Sequence, residues 1–245
     1  MKKEGRKGGR TEGGREAVED VGRNGRDGLR FNPFGKMKKA ENKNWPPRLK
    51  NSMSRFNQKQ TDSLAKLVFL ITSVMGAIAC VSPYTEGRAS NFRLFSFHPL
   101  LLLSSLGCFV TAALYKKVGG LQNTRFHGNL SFFGVCLMAG GVYAIYLNKE
   151  NNGKPHFKTT HGFYALNLAG VLFGLLLNGL FALHPDYGWL KKNQSLRKIH
   201  HWTGKGMLLG MCYLCWDGVN KMMSGSWVIV VFGVPLVVLG LLGLA

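Results

Sequence analysis

Acidic residues are scarce in this chain. Its 245 residues include 12 Asp and Glu against 32 Lys and Arg, a formal net charge of +20. Only four acids, Glu86, Glu150, Asp186 and Asp217, fall after residue 62, whereas residues 1–62 hold 17 of the basic side chains. The near-zero mean hydropathy therefore averages two unlike parts. Residues 1–62 are basic, Gly-rich and too poor in apolar side chains to bury a core, and they read as a disordered cytosolic tail. Residues 63–245 read as a membrane domain. The tail lacks an apolar h-region, which excludes a secretory-signal reading, and Glu12, Glu16, Glu19 and Asp20 argue against an Arg-rich import peptide. Basic arms can bind phosphate backbones, but no folded module or ordered aromatic interleaving accompanies this charge, so no nucleic acid is expected. The stretch 36–50 suits weak attraction to anionic membrane lipid.

Cysteine is also sparse. Cys80, Cys108, Cys136, Cys212 and Cys215 all lie in or beside apolar runs, and no disulfide framework follows. The Cys212/Cys215 pair has CxxC spacing but no βαβ context, so both read as small packing residues. Period-2 alternation is absent, which excludes a membrane barrel. The apolar part instead contains six runs, 64–81, 98–114, 128–147, 162–183, 202–216 and 226–245, near the ~20 residues a spanning helix needs. Pro99, Pro155, Pro185 and several glycines punctuate their ends. Pro99 fits a first helical turn, where its missing N–H costs nothing. The fifth run is the least apolar and meets Asp217, about 25 Å from His200 at 1.5 Å per residue. The fold class is thus an all-α membrane protein of six transmembrane helices. The basic residues of the loops (Arg88 and Arg93 among them) divide almost evenly between the two faces. The tail tips the balance towards a cytosolic N-terminus.

Four histidines, His98, His127, His161 and His200, each stand where a polar loop meets an apolar run, 29, 34 and 39 residues apart. Because the chain reverses at each loop, His98 and His161 share one face and His127 and His200 the other. A lone interfacial histidine is ordinarily just a polar residue; four in register suggest two paired sites. Two imidazoles on facing helices can clamp a haem iron from both sides, leaving no open position, which suits electron transfer rather than oxygen binding. A four-helix core supplies the slot for the macrocycle. Zinc fits poorly, since a structural site wants four ligands together. His184 has no partner at the matching position, and His156 is a loop residue on the same side as His98 and His161. His201 adjoins His200 and would point about 100° away, so one of the two is the fourth ligand.

SFHPLLL, RFHG, NKENNGKPHFKTTHG and the H-x-x-x-G of His200 to Gly204 together resemble the cytochrome b561 family, and within it the cytochrome b561 domain-containing group. The resemblance covers about residues 63–245. It implies six transmembrane helices whose central four hold two haem b groups. It pairs His98 with His161 and His127 with His200, selecting His200 over His201. It also implies an ascorbate-dependent ferrireductase of an endoplasmic reticulum or cytoplasmic vesicle membrane. Cytosolic ascorbate would then be oxidised, and a ferric chelate or monodehydroascorbate reduced on the opposite side. Lys116, Lys117 and Arg125 precede His127, and Arg197 and Lys198 precede His200, where cations would meet the ascorbate anion. Lys154, His156 and Lys158 stand where an anionic acceptor would bind. Asp217 and His201 depart from the family pattern. A homodimer is compatible with this reading. The rival is a non-redox six-helix transporter or membrane scaffold with structural histidines, although neither broken paired helices nor an inverted repeat is evident.

Overall fold

The structure, a computed structural model, describes residues 47–85, 94–223 and 225–244. Residues 1–46 of the expected tail, and Arg88 and Arg93 of the expected first loop, lie outside the described residues. Among the described residues all regular structure is helical. Six helices follow one another: α1 (Pro47–Thr85), α2 (Phe97–Val118), α3 (Leu121–Glu150), α4 (Thr160–Ala182), α5 (Gln194–Met222) and α6 (Ser226–Leu244). α2 is entered through a 3-10 turn, and α4 and α6 each contain a π-helical turn, at Asn178–Ala182 and Ile229–Gly233.

α1 starts well before the boundary at residue 62 drawn from charge. No Gly or Pro interrupts residues 48–62, and Pro47 stands at the first helical position, where proline is favoured. Residues 47–62 therefore continue into the first membrane helix. Asp62 anchors that stretch: the Tyr115 hydroxyl donates to its Oδ1 at 2.6 Å, and Gln58 Nε2 donates to the same oxygen at 3.0 Å. Asn123 Nδ2 donates to Gln58 Oε1 at 3.2 Å, so α1, α2 and α3 are tied at one level.

Among the described residues, five helices are long and apolar enough to cross a membrane: α1 through Gln58–Ser82, α2, α3, α4 and α6. The fifth apolar run is different in kind. α5 has 29 residues, about 43 Å of helix, but Arg197, Lys198, Lys205, Asp217 and Lys221 dilute its hydropathy. It still packs against α2, α4 and α6 through Leu208, Met211, Cys212 and Val219, while Arg197, Lys198 and Lys221 stay exposed towards its ends. α2 is central and also touches α1 and α3. Ser105 on α2 donates to the Gly134 carbonyl of α3 at 2.7 Å, a cross-helix bond of the kind that holds bundles together where water is absent.

Short connections fix the alternation. Gly119 and Gly120, at φ +77° and +86°, supply a two-residue reversal between α2 and α3 that an L side chain would resist. Thr159 caps α4 by accepting from Gly162 N–H, and Asn193 caps α5 by accepting from Leu196 N–H. Exposure is uneven: 56 % of the apolar window of α2 is buried, but only 11 % of that of α4.

Candidate metal centres

The four histidines occupy two depths. His98 and His161 are the second residues of α2 and α4, at the helix mouths. His127 and His200 are the seventh residues of α3 and α5, about 9 Å along their helices. Hydropathy places all four at segment starts. In the structure the polar stretches 121–126 and 194–199 are already helical, because the Gly119–Gly120 reversal and the Asn193 cap release the chain directly into α3 and α5.

The pairing follows from contacts. His98 and His161 line one cleft with Leu102, Leu214, Gly218 and Met222. At the other end His127 and His200 lie close enough to interact electrostatically, and the charge of Lys116 reaches both. His201 is exposed and meets Trp202 edge-on at 5.6 Å.

The rings are oriented by their Nδ1 atoms. His98 Nδ1 lies 2.8 Å from the Gly141 carbonyl, and His127 Nδ1 lies 3.0 Å from the Ala112 carbonyl. A carbonyl can only accept, so each Nδ1 carries the proton and each Nε2 keeps a free lone pair. His161 Nδ1 lies 2.8 Å from Asp217 Oδ2, which also accepts from Lys221 Nζ at 2.6 Å. Asp217, at the far end of α5 from His200, is therefore the partner of the His161 ring. His200 Nδ1 is buried without a hydrogen-bond partner.

Two glycines back two of the rings reciprocally. A Cβ at Gly218 of α5 would stand 3.3 Å from His161 Cε1 on α4, and one at Gly179 of α4 would stand 3.3 Å from His200 Cε1 on α5. Gly179 belongs to the π turn of α4, so the local irregularity lies at the level of His200. π turns of this kind recur at functional sites.

The expected substrate cations fare unevenly. Lys116 Nζ donates to Thr124 Oγ1 at 2.8 Å. Lys117 Nζ donates to the Leu242 carbonyl and Lys205 Nζ to that of Leu244, where cations complement the carbonyls ending α6. Arg125 is engaged by Asp186, with Nε to Oδ2 at 2.8 Å and Nη2 to Oδ1 at 2.6 Å. This fork holds the Asp186 carboxyl below the usual carboxylate range. Lys191 Nζ donates to the Asp186 carbonyl and Arg197 Nε to that of Lys191, so the α4–α5 connection is bound onto α3 and α5. At the opposite end, His156 stacks on Tyr146 with centroids 4.3 Å apart, and its Nε2 lies 3.0 Å from Glu150 Oε1. Phe157 follows at φ +53°, and Lys154 and Lys158 are exposed. Cys212 and Cys215 are free thiols, and Cys215 joins the lining of the His98/His161 cleft.

Among the described residues no three His, Cys, Asp or Glu side chains gather as a metal cluster. What remains is a pair of imidazoles at each end. A family model for eukaryotic cytochrome b561 matches residues 97–225, from the residue before His98 to just beyond α5. The chain belongs to the eukaryotic cytochrome b561 family. Members of this family bind haem b and are oxidoreductases of membrane electron transfer. The match spans α2 to α5, which carry all four histidines. No curated protein matches the chain significantly. The residues fit the cytochrome b561 cofactor. Three rings have the anchored Nδ1 and free Nε2 that metal-ligating imidazoles adopt, and glycine leaves room beside two of them.

Proposed function

We propose that this cytochrome b561 holds two haem b groups, one between His98 and His161 and one between His127 and His200. The chain then oxidises ascorbate on the cytosolic side and reduces a ferric chelate or monodehydroascorbate on the other. When bound, haem b at each end supplies a one-electron iron couple that connects the two half-reactions. The observation that carries the reading is the set of anchored Nδ1 atoms at opposite ends of one four-helix core. The carbonyls of Gly141 and Ala112 and the carboxylate of Asp217 present Nε2 of His98, His127 and His161 as the ligating atom. The His98/His161 cleft is lined by apolar side chains, Leu102, Leu214 and Met222 among them.

Of the basic residues near His127 and His200, we assign Lys116 to the ascorbate anion, since its exposed Nζ is held by Thr124 three residues before His127. Arg125 supports the site through Asp186 rather than as a free cation. Lys154 and Lys158 flank the strained Phe157 beside His156 and form the surface available to an anionic acceptor. The N-terminus is placed in the cytosol, and an endoplasmic reticulum or vesicle membrane suits an ascorbate-fed enzyme.

The test uses purified full-length protein. Two haem b per chain are expected, both reducible by ascorbate. His161→Ala and His200→Ala should each lose one, and His201→Ala neither. A folded, haem-free wild type would falsify the redox reading, and loss of haem from His201→Ala with retention in His200→Ala would overturn the fourth ligand. Lys116→Gln should raise the ascorbate concentration for half-reduction about two- to fivefold, the loss of one exposed charge interaction of about 0.5–1 kcal/mol.

A further inference from the structure

Three of the four rings have a defined Nδ1 partner, and only one partner is charged. His98 and His127 face backbone carbonyls, whereas His161 faces the Asp217 carboxylate at 2.8 Å. We propose that Asp217 is a positioning residue that makes His161 the more electron-rich ligand, and so lowers the reduction potential of the haem at the His98/His161 end. The inference rests on His161 being a haem ligand, as proposed above.

The argument is electrostatic. A hydrogen bond from Nδ1–H to a carboxylate draws the shared proton off the ring and raises the basicity of Nε2. Such charge-assisted bonds are roughly twice as strong as those to a neutral acceptor. A more basic axial ligand favours the more highly charged, oxidised iron, and second-shell hydrogen bonding is one of the levers by which a protein sets haem potential. The bond is shielded: the His161 and Asp217 side chains are 22 % and 25 % exposed, and Leu214, Val219 and Met222 line the adjoining cleft. Gly218, the residue after Asp217, keeps the ring edge in register against α5. Lys221 shares the same Oδ2 at 2.6 Å and offsets part of the negative charge, so Asp217 and Lys221 act on His161 with opposite signs. A lower potential at this end makes it the stronger reductant towards an acceptor and, by the same amount, the weaker oxidant of the His127/His200 end.

Redox titration of the haem absorbance in full-length protein tests the assignment. Asp217→Asn keeps an oxygen acceptor for Nδ1–H but removes the charge. At a fixed ambient potential it should raise the reduced-to-oxidised ratio of one haem by about tenfold, 59 mV for a one-electron couple, leaving the other unmoved. Lys221→Met, which leaves the carboxylate unshared, should shift the same haem the opposite way, and Asp217→Glu should restore the wild-type value. The low-spin electron paramagnetic resonance signal of that haem should move with its potential. Unmoved potentials and signals in Asp217→Asn and Lys221→Met, with two haems retained, overturn the inference and leave the ligand reading intact. Loss of haem from both Asp217→Asn and Asp217→Glu overturns it too, reducing Asp217 to a structural hold. A wild type without haem sinks the ligand reading itself.

Discussion

At the scale of single residues, the two reciprocal glycines are the sharpest constraint. A methyl at position 218 or 179 would press on the ring edge of His161 or His200 at 3.3 Å, a separation that forces a neighbour to give by a few tenths of an ångström. Gly218→Ala should therefore tilt one ligand and Gly179→Ala the other. The expected result is that each variant alters the spectrum of a different haem, readable by low-temperature absorbance of the reduced protein; two variants that perturb the same haem would contradict the pairing. Ser105→Ala tests a different kind of contact. It deletes the bond to the Gly134 carbonyl and should cost about 0.5–1 kcal/mol, seen as a modest fall in melting temperature with haem content unchanged.

At the scale of elements, the connection between α4 and α5 is held from outside itself. Arg125 on α3 grips Asp186 with two hydrogen bonds, and Lys191 and Arg197 extend the clasp. Arg125→Gln should loosen residues 183–193, measured as faster amide hydrogen exchange there, and should raise the ascorbate requirement less than Lys116→Gln does. The pH dependence has a fixed sign. Asp186 has a folded-state pKa below its unfolded value of about 3.9, so the contribution of the pair is fully present above that value. It is lost as pH falls through the lowered pKa. The protection of residues 183–193, meaning exchange relative to the intrinsic rate at each pH, should therefore stay flat across neutral pH and fall only under strong acid; a fall near pH 6 would assign control to another group.

At the scale of the whole molecule, α4 is the helix with least protein around it, 11 % buried over its apolar window. Ligation of His161 and Gly179-backed His200 would couple it to α2, α3 and α5 through bound haem, because a ligand that binds only the folded state stabilises it. Protein made under haem limitation should show faster hydrogen exchange in α4 than in α2, and haem loading should narrow the gap. Much of this architecture was legible in the chain. Six helices, two histidine levels and the pairing of faces follow from apolar runs and their alternation. The helix starts at Leu121 and Gln194 were not, because residues 121–126 and 194–199 are polar and hydropathy cannot tell a polar first turn from a loop. Nor does hydropathy show that residues 47–62 join α1. The His161–Asp217 and Arg125–Asp186 bonds span 56 and 61 residues, and no local spacing encodes a contact between side chains so far apart. Asp217 did signal itself, as one of four acids after residue 62, but not which ring it serves.

Beyond Gly179, the π turn of α4 makes length, more than identity, the constraint on residues 180–182. Such a turn holds one residue more than the α-helical turn it replaces. Deleting Leu180 would let α4 run as a regular α-helix with the residues beyond it kept in phase, whereas inserting a residue there would rotate everything beyond by about 100°. The insertion would swing Asp186 away from Arg125. Apolar substitutions at Leu180 or Phe181 and deletion of Leu180 should be tolerated, while a single-residue insertion should keep its helical circular dichroism and speed amide exchange in residues 183–193. At these positions an insertion is the damaging mutation and a missense change the mild one.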